Sequence, residues 1–145
     1  MHQLKYNGWW RVAEPMADAM RGLGPLTGRP YLVPIPLGAR RLRRRGYNQS
    51  ERLAAALART EGTVRTDLLR RARETPTQTA LTPEERQANV AGAFTARRVP
   101  PGRLVLVDDV FTTGATLAEA ATALLAAGAQ SVEAVTFARA RQTVG

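Results

Sequence analysis

The sequence has no cysteine among its 145 residues. Disulfide bonds, iron–sulfur clusters, zinc ribbons and cysteine nucleophiles are therefore excluded within these residues. The remaining composition is that of a globular protein, with 44% hydrophobic, 23% charged and only 6% aromatic residues. The length suits one domain, which we expect to span residues 1–145.

Long hydrophobic runs are also missing. The longest is the six-residue stretch Leu53–Ala58, whereas a membrane-spanning helix needs roughly 18 apolar residues. Residues Met1 to Trp10 contain no apolar core of the length found in signal peptides. We therefore expect a cytoplasmic protein without a membrane span.

Lysine is nearly absent, since Lys5 is the single lysine among 21 basic residues, and the net charge is +9. Arginine and alanine are both abundant and both favour GC-rich codons, so the number of arginines by itself indicates no ligand. Their distribution is more informative. Between Arg40 and Arg73, eleven arginines stand against three acidic residues, a local excess of +8. Such a local positive patch attracts phosphates or polyanions.

The first half of the chain predicts two helices and a strand. Apolar spacing favours a helix over Arg11–Arg21, which ends before Gly22. Tyr31–Ile35 is a short apolar run bounded by prolines and predicts a strand that stops at Pro34 or Pro36. The arginine cluster that follows is expected in a loop, Pro36–Gly46.

The second predicted helix covers Asn48 to Arg59, with Asn48 or Ser50 as its cap. Its expected buried stripe consists of Leu53, Ala54, Ala56 and Leu57. Alternation in Thr66–Arg73 favours a strand. Glu74–Val90 is polar, contains two prolines and has no sustained period, so we expect a flexible loop of the kind that often serves as a lid.

The second half predicts strand, helix and strand. Ala93–Ala96 favours a short strand. Arg103–Val107 contains the unbroken apolar run Leu-Val-Leu-Val, which is typical of a strand buried on both faces. Leu117–Ala127 predicts a helix ended by Gly128, and Val132–Ala138 another strand. The residues expected on the buried face of that helix are Leu117, Ala121, Leu124 and Leu125. The chain is therefore expected to be an α/β protein with a central, mostly parallel sheet flanked by helices.

The segment Leu104 to Thr116 carries the strongest functional signal. A buried strand ends at Asp108 and Asp109, and a loop of threonine and glycine then leads into a helix. Ligands of open α/β sheets bind at the carboxyl ends of the strands. The amide groups and the dipole of a helix N-terminus favour an anion. The loop has no lysine, so it predicts a phosphate site that is not a P-loop.

Two adjacent carboxylates repel each other, and they are costly beside a phosphate unless the ligand also presents hydroxyl groups or a divalent cation. A ribose 5-phosphate has that chemistry. Successive strand residues point to opposite faces, so we expect the chain to turn already at Asp108–Asp109 if both acids reach one sugar. The alternative is that the two acids only end a strand and cap a helix.

The segment Leu104–Thr116 resembles the phosphoribosyl pyrophosphate motif of type I phosphoribosyltransferases, an apolar strand with two acids followed by Thr-Thr-Gly-x-Thr. Further matches point to the ComF family of competence-associated proteins with this fold. They comprise Lys5-Tyr6 and Gly8, Pro34–Leu37 with Arg40 and Arg41, Arg45–Gln49, and Thr75, Gln78, Leu81, Arg86, Asn89 and Gly92–Phe94. The resemblance covers nearly the whole chain.

This resemblance implies a role for each part of the site. Asp108 and Asp109 would be the catalytic pair that holds the ribose hydroxyls. The 5-phosphate loop would consist of Thr112, Thr113, Gly114, Ala115 and Thr116, and the pyrophosphate loop of Leu37, Gly38, Ala39 and Arg40. Mg²⁺ would travel on the pyrophosphate of the substrate, with Asp108 as a candidate ligand through water.

The resemblance also implies a small hood, to which residues 1–30 would contribute, and a lid formed by residues 74–90. Arg86 is the lid residue expected to reach the pyrophosphate. The alternative for Arg86 is a surface position on a short helix that starts at Thr82-Pro83, a favourable cap and first-turn pair.

One feature departs from the family pattern. ComF-like proteins usually begin with a cysteine-rich zinc-binding segment, which this cysteine-free chain does not contain. Either the zinc segment was lost, or the sequence begins after it.

Two functions follow from the resemblance. The first is a Mg²⁺-dependent phosphoribosyltransferase, a pentosyltransferase that binds phosphoribosyl pyrophosphate and uses an unidentified acceptor. The alternative is a non-catalytic module of DNA uptake, in which the arginine patch binds single-stranded DNA or a competence helicase. The sequence does not indicate the oligomeric state.

Overall fold

The computed structural model of the chain describes residues 12–74, 81–111 and 114–139. In chain order the elements are α1 (residues 12–20), a 3₁₀ turn (Gly24–Leu26), β1 (Tyr31–Pro34), α2 (Ala39–Arg45), α3 (Gln49–Ala58), β2 (Thr63–Val64), β3 (Leu69–Arg71), α4 (Pro83–Val90), β4 (Phe94–Ala96), β5 (Leu104–Phe111), α5 (Ala115–Ala126) and β6 (Val132–Arg139).

A four-stranded parallel sheet forms the centre, in the order β2-β1-β5-β6. Tyr31 of β1 lies opposite Leu104 of β5, and Pro34 lies opposite Val107. Parallel neighbours need long crossover connections, which contain α3 between β1 and β2 and α5 between β5 and β6. The prediction of an α/β fold with a mostly parallel sheet is confirmed.

One face of the sheet is covered by α1 and α3. Asn48 caps α3, because its side-chain oxygen accepts a hydrogen bond from the Ser50 amide at 3.0 Å. The predicted stripe of α3 is fully buried. It packs with α1 and the central strands in one core of Ala13, Met16, Ala17, Met20, Leu26, Leu32, Leu53, Ala54, Ala56, Leu57, Val105, Val107 and Val135.

The opposite face is covered by α5 and by a two-stranded antiparallel sheet of β3 and β4. Its core consists of Val33, Ile35, Leu68, Leu69, Ala93, Phe94, Leu104, Leu106, Leu117, Ala120 and Leu124. The expectation that Leu125 belongs to this face is wrong, since Leu125 is 48% exposed and Ala120 is buried instead. Ala120 lies three residues after Leu117 and four before Leu124, which is the spacing of one helix face.

The arginine cluster does not form the loop expected over Pro36–Gly46. Residues Ala39–Arg45 form helix α2, which ends where Gly46 adopts a positive φ of 81°. None of its side chains is buried, so the helix lacks the apolar period that would have predicted it. Arginine, leucine and alanine are nevertheless good helix formers.

Two further expectations are corrected. Within Thr66–Arg73 only Leu69–Arg71 is a strand, and the two-residue strand β2 before it was not predicted. The second half of Glu74–Val90 is not a loop. Pro83–Val90 is helical, and Thr82 with Glu85 forms a capping box at its start. The helix start at Thr82-Pro83, which was the alternative for Arg86, is thus the observed one.

No helix within residues 12–74, 81–111 and 114–139 combines the length and the hydropathy that a bilayer crossing requires.

Replacement of Gly62 by alanine is expected to destabilise the protein by about 1–3 kcal/mol. A Cβ atom at Gly62 would overlap the carbonyl oxygen of Pro30, at the point where β2 joins the edge of β1. The colliding atom is backbone and cannot move aside as a flexible side chain would. Urea denaturation measures the effect. Gly24→Ala is the control, because no atom lies within 4 Å of the Cβ position there. Equal stability of the two variants would contradict the packing described.

Candidate functional site

The carboxyl ends of β1 and β5 lie side by side, because the two strands are parallel neighbours. The register continues past the last paired residues, since the Ile35 amide donates to the Val107 carbonyl at 3.0 Å. The loop after β1 and the acids at the end of β5 therefore meet at one edge of the sheet. This is the edge at which open α/β sheets bind ligands.

β5 does not turn at Asp108–Asp109, as the sequence interpretation required. The strand runs on to Phe111 and stays paired with β6, with Asp108 opposite Thr136 and Val110 opposite Ala138. The expected turn is therefore wrong. Without a turn, Asp108 and Asp109 are successive residues of one strand, and Asp109 acts on Asp108 through its negative charge.

The side chain of Asp108 is held in place by two donors on one oxygen. Oδ1 accepts a hydrogen bond from the Ser50 hydroxyl at 2.9 Å and another from the Asp109 amide at 2.9 Å. With both donors on Oδ1, the orientation of the carboxyl group is fixed.

The environment favours the protonated form of this carboxyl group. Burial, followed by the negative charge of Asp109, raises the pKa of Asp108 to about 7, and the Ser50 hydroxyl opposes the shift only in part. Near neutral pH the Asp108 carboxyl group is therefore close to the midpoint of its titration. Strong shifts of this kind are typical of functional sites.

Asn48 connects the two sides of this arrangement. It is buried, its side-chain amide donates to the Ile35 carbonyl at 2.9 Å, and its side-chain oxygen caps α3. The cap fixes the first turn of α3 against the end of β1. Ser50, also buried, is thereby directed toward Asp108.

The loop after β1, expected to hold pyrophosphate, carries an internal anion in this structure. The Arg40 amide donates to the carboxylate of Glu74 at 2.9 Å. The other carboxylate oxygen of Glu74 lies against Gly38, where it fills the space that a Cβ atom would need. Of the predicted loop, Ala39 and Arg40 are the first residues of α2.

Arg71 is a site residue that the sequence interpretation did not single out. It ends β3 opposite Phe94, and its guanidinium carbon lies 4.7 Å from the centre of the Phe94 ring. Its Nε–H donates to the Pro36 carbonyl at 3.2 Å. Burial, followed by the charge of Arg41, lowers the pKa of Arg71.

The helix after the acids starts at Gly114, which has a positive φ of 81°. Among the described residues no side chain caps this helix start. Ala115 and Thr116 form its partly buried first turn. Thr112 and Thr113 lie outside the described residues, so the phosphate loop remains a prediction at these two positions.

Arg86 lies on α4, which is attached to the rest of the molecule at its C-terminal end. The Arg73 guanidinium donates to the Asn89 carbonyl at 2.9 Å, and the Gly92 amide donates to Glu119 of α5 at 2.9 Å. α4 therefore packs beside the helix that follows the two acids. That Arg86 reaches a pyrophosphate stays a prediction.

The outer surface of α2 is strongly basic. Arg40, Arg43 and Arg44 are exposed and line an open pocket. This pocket opens on the surface beside the loop after β1.

The acidic side chains of the described residues suit a metal ion that is bound together with a phosphorylated ligand. The described residues contain no group of three or more histidine, cysteine or acidic side chains arranged to hold an ion. Mg²⁺ commonly binds through one or two carboxylates together with substrate phosphates and water. Asp108 and Asp109 can supply such carboxylates beside a phosphorylated ligand.

The residues missed from sequence share one property, which is that their partners are distant in the chain. Ser50 was recognised only as a possible cap, yet it contacts Asp108, 58 residues away. Arg71 contacts Pro36 over 35 residues, and Glu74 contacts Arg40 over 34. The local arginine excess was the only signal that pointed toward Arg71.

Comparison with known proteins gives a consistent result. A family model described as "Phosphoribosyl transferase domain" matches residues 42–145. The chain is 38% identical to "DNA utilization protein YhgH" of Salmonella typhi and 36% identical to the protein of that name from Escherichia coli K12, in each case over 92% of this chain and 63% of the relative. It is 35% identical to "Competence protein F" of Haemophilus influenzae, over 75% of this chain and 50% of that protein.

The chain thus spans less than two thirds of the length of these relatives. The matched region contains the two acids, the helix start at Gly114 and strand β3, which carries Arg71. The chain belongs to the phosphoribosyl transferase domain family, in the ComF branch that includes the DNA utilization proteins.

Proposed function

We propose that this protein binds phosphoribosyl pyrophosphate with Mg²⁺ and transfers its phosphoribosyl group to an acceptor. The observation that carries the proposal is the acid pair in the C-terminal half of β5. Asp108 is fixed by Ser50, sits beside a second carboxyl group and is followed within a few residues by a helix start at Gly114.

The raised pKa of Asp108 suits the binding of a ribose hydroxyl. A neutral carboxyl group both donates and accepts hydrogen bonds, whereas a carboxylate only accepts. A sugar hydroxyl, which is both a donor and an acceptor, can therefore be bound by Asp108 in either form. The phosphate of the same sugar would lie at residues 112–116, where the amides and dipole of α5 favour an anion.

The proposed reaction is a displacement at the anomeric carbon. The bond from this carbon to the pyrophosphate oxygen breaks, and pyrophosphate leaves with the electron pair. A bond forms to a nitrogen or water oxygen of the acceptor, which releases its proton to the leaving group or to solvent. No protein nucleophile is needed, so the contribution of the chain is orientation and charge.

A magnesium ion bound with the pyrophosphate would neutralise the charge that develops on this leaving group. Asp108 or Asp109 would hold it directly or through water. The Ser50 hydroxyl would orient the Asp108 carboxyl group for this role.

Calorimetric titration tests the proposal. Phosphoribosyl pyrophosphate in the presence of Mg²⁺ is expected to bind with a dissociation constant below about 1 mM, which is in the ordinary range for enzyme substrates. Omission of Mg²⁺ is expected to weaken binding. Absence of binding at millimolar ligand with Mg²⁺ would contradict the proposal.

Glu74→Gln is expected to strengthen the binding of inorganic pyrophosphate by about three- to tenfold. The Glu74 carboxylate occupies the Arg40 amide and the space at Gly38, where the incoming anion is expected. Titration of pyrophosphate into both proteins measures the change. Glu61→Gln removes the same charge at the end of α3 and serves as the control. Weaker binding by Glu74→Gln would show that Glu74 supports the loop rather than competes with the ligand.

A second candidate function is the binding of single-stranded DNA, favoured by the exposed arginines of α2. Such binding is expected to weaken steeply with salt and to fall when Arg41, Arg43 and Arg44 are replaced by alanine. A fluorescent oligonucleotide titrated at two salt concentrations measures both effects. Replacement of Arg97 and Arg98, which are exposed on the segment after β4, is the control. Binding that is insensitive to salt or to the α2 variant argues against this function.

A further inference from the structure

Arg71 lies between the two parts of the proposed site. β3 ends at Arg71, and the two-stranded sheet of β3 and β4 is anchored in the core by Leu68, Leu69 and Phe94. From there the side chain reaches the Pro36 carbonyl, directly before the loop expected to hold pyrophosphate. The charge of Asp108 also acts on it. A cation at this position therefore lies beside the pyrophosphate loop and within electrostatic reach of Asp108.

The guanidinium group is unusually constrained for an arginine. It is half-buried, stacked on Phe94, and oriented by the hydrogen bond from Nε–H to Pro36. Long side chains normally lose considerable rotamer entropy when they bind a ligand. Since Arg71 is already ordered by protein contacts, binding an anion costs it less of this entropy.

Its surroundings favour the arrival of negative charge. Burial and the nearby charge of Arg41 both disfavour the protonated guanidinium, and Glu74 and Asp108 only partly offset this. The charge of Asp108 is itself reduced near pH 7, because burial raises the pKa of that carboxyl group to about 7. A phosphate group close to Arg71 would add favourable negative charge beside the guanidinium group. Arginine also matches phosphate geometry with paired N–H donors.

We infer that Arg71 binds the pyrophosphate group of the ligand next to the ribose. Arg71 is then a substrate-binding residue contributed by strand β3. This inference rests on the proposed function and assigns a residue to it. Arg71 would fix the leaving group against the Pro36–Arg40 loop and stabilise the charge that it gains.

The chain supplies a closely matched control, since Arg70 is the preceding residue on the same strand. Arg70 is exposed and lies opposite Thr95, on the other face of the two-stranded sheet of β3 and β4. Arg70→Gln and Arg71→Gln remove the same charge from positions one residue apart. A comparison of the two separates a direct contact from a general loss of positive field.

The test titrates three probes into the wild type, Arg71→Gln, Arg71→Lys and Arg70→Gln, all with Mg²⁺. The probes are inorganic pyrophosphate, phosphoribosyl pyrophosphate and ribose 5-phosphate. Arg71→Gln is expected to weaken binding of the two pyrophosphate-containing probes by at least about tenfold. Its binding of ribose 5-phosphate should stay within about twofold of wild type, since that probe lacks the group that Arg71 holds.

Arg71→Lys is expected to recover part of the affinity, because it keeps the charge and loses the paired geometry. Arg70→Gln is expected to change all three affinities by less than about threefold. Equal effects of Arg70→Gln and Arg71→Gln would overturn the inference. So would an equal loss of all three probes in Arg71→Gln, because that result marks a purely structural residue.

The failure of this inference differs from the failure of the proposed function. If the wild type binds phosphoribosyl pyrophosphate and Arg71→Gln binds it equally well, only the assignment of Arg71 is wrong. If the wild type binds none of the three probes, the proposed function fails and the assignment of Arg71 fails with it. Thermal denaturation of each variant confirms that the titrated protein is folded.

Discussion

Asp109→Asn is expected to weaken the binding of phosphoribosyl pyrophosphate with Mg²⁺ by at least about 100-fold. Asp109 contributes a negative charge that acts on Asp108. Charge-assisted hydrogen bonds are roughly twice as strong as neutral ones. The substitution removes a negative charge that would bind sugar hydroxyls or a metal ion, and it leaves the side-chain shape nearly unchanged.

Calorimetry on the folded variant measures this effect. Asp18→Asn is the matched control, because Asp18 is an exposed acid on α1 that contacts only Arg21 in the described ion pairs. The control is expected to bind like the wild type. An Asp109→Asn variant with affinity within about threefold of wild type would mean that the acid pair does not hold the ligand.

Asp108→Asn is expected to stabilise the free protein at pH 8 by about 1–3 kcal/mol. The pKa of Asp108 rises from 3.8 to about 7 on folding, so between these values the folded chain binds more protons than the unfolded one. Stability from this group is therefore full below pH 4 and is lost as the pH rises through about 7. Asparagine is neutral at every pH and can still accept the bond from Ser50.

Urea denaturation of both proteins from pH 4 to pH 8 checks this prediction. The variant and the wild type should have similar stability near pH 4, and the difference should grow toward pH 8. The same variant is expected to bind phosphoribosyl pyrophosphate less well, because an amide cannot adapt its proton to the ligand. A stability difference that is constant across this range would show that Asp108 is not protonated in the folded chain.

The parts of the fold that were predictable from sequence are those with strong local patterns. β5 begins with the unbroken apolar run Leu104–Val107, and this run placed the strand in the centre of a parallel sheet. α3 has both an Asn48 cap and a regular buried stripe. The acids at the end of β5 and the helix start at Gly114 are adjacent in sequence, so this part of the site could be recognised directly.

The parts that escaped prediction depend on contacts between distant residues. α2 has no buried face, so no periodicity marked it. Strands β3 and β4 fall within the predicted strands Thr66–Arg73 and Ala93–Ala96, but their antiparallel pairing across more than twenty residues was not predicted. The packing of this two-stranded sheet on α5 brings Arg71 to the end of β1. Propensity and periodicity do not encode such an approach.

The most direct test of the central claim is a crystal structure of the protein with phosphoribosyl pyrophosphate and Mg²⁺. We expect density for the 5-phosphate at residues 112–116, and ribose hydroxyls within hydrogen-bonding distance of Asp108 and Asp109. A structure in which the ligand is present in the crystal but absent from this edge of the sheet, with both acids bonded only to protein groups, would contradict the claim.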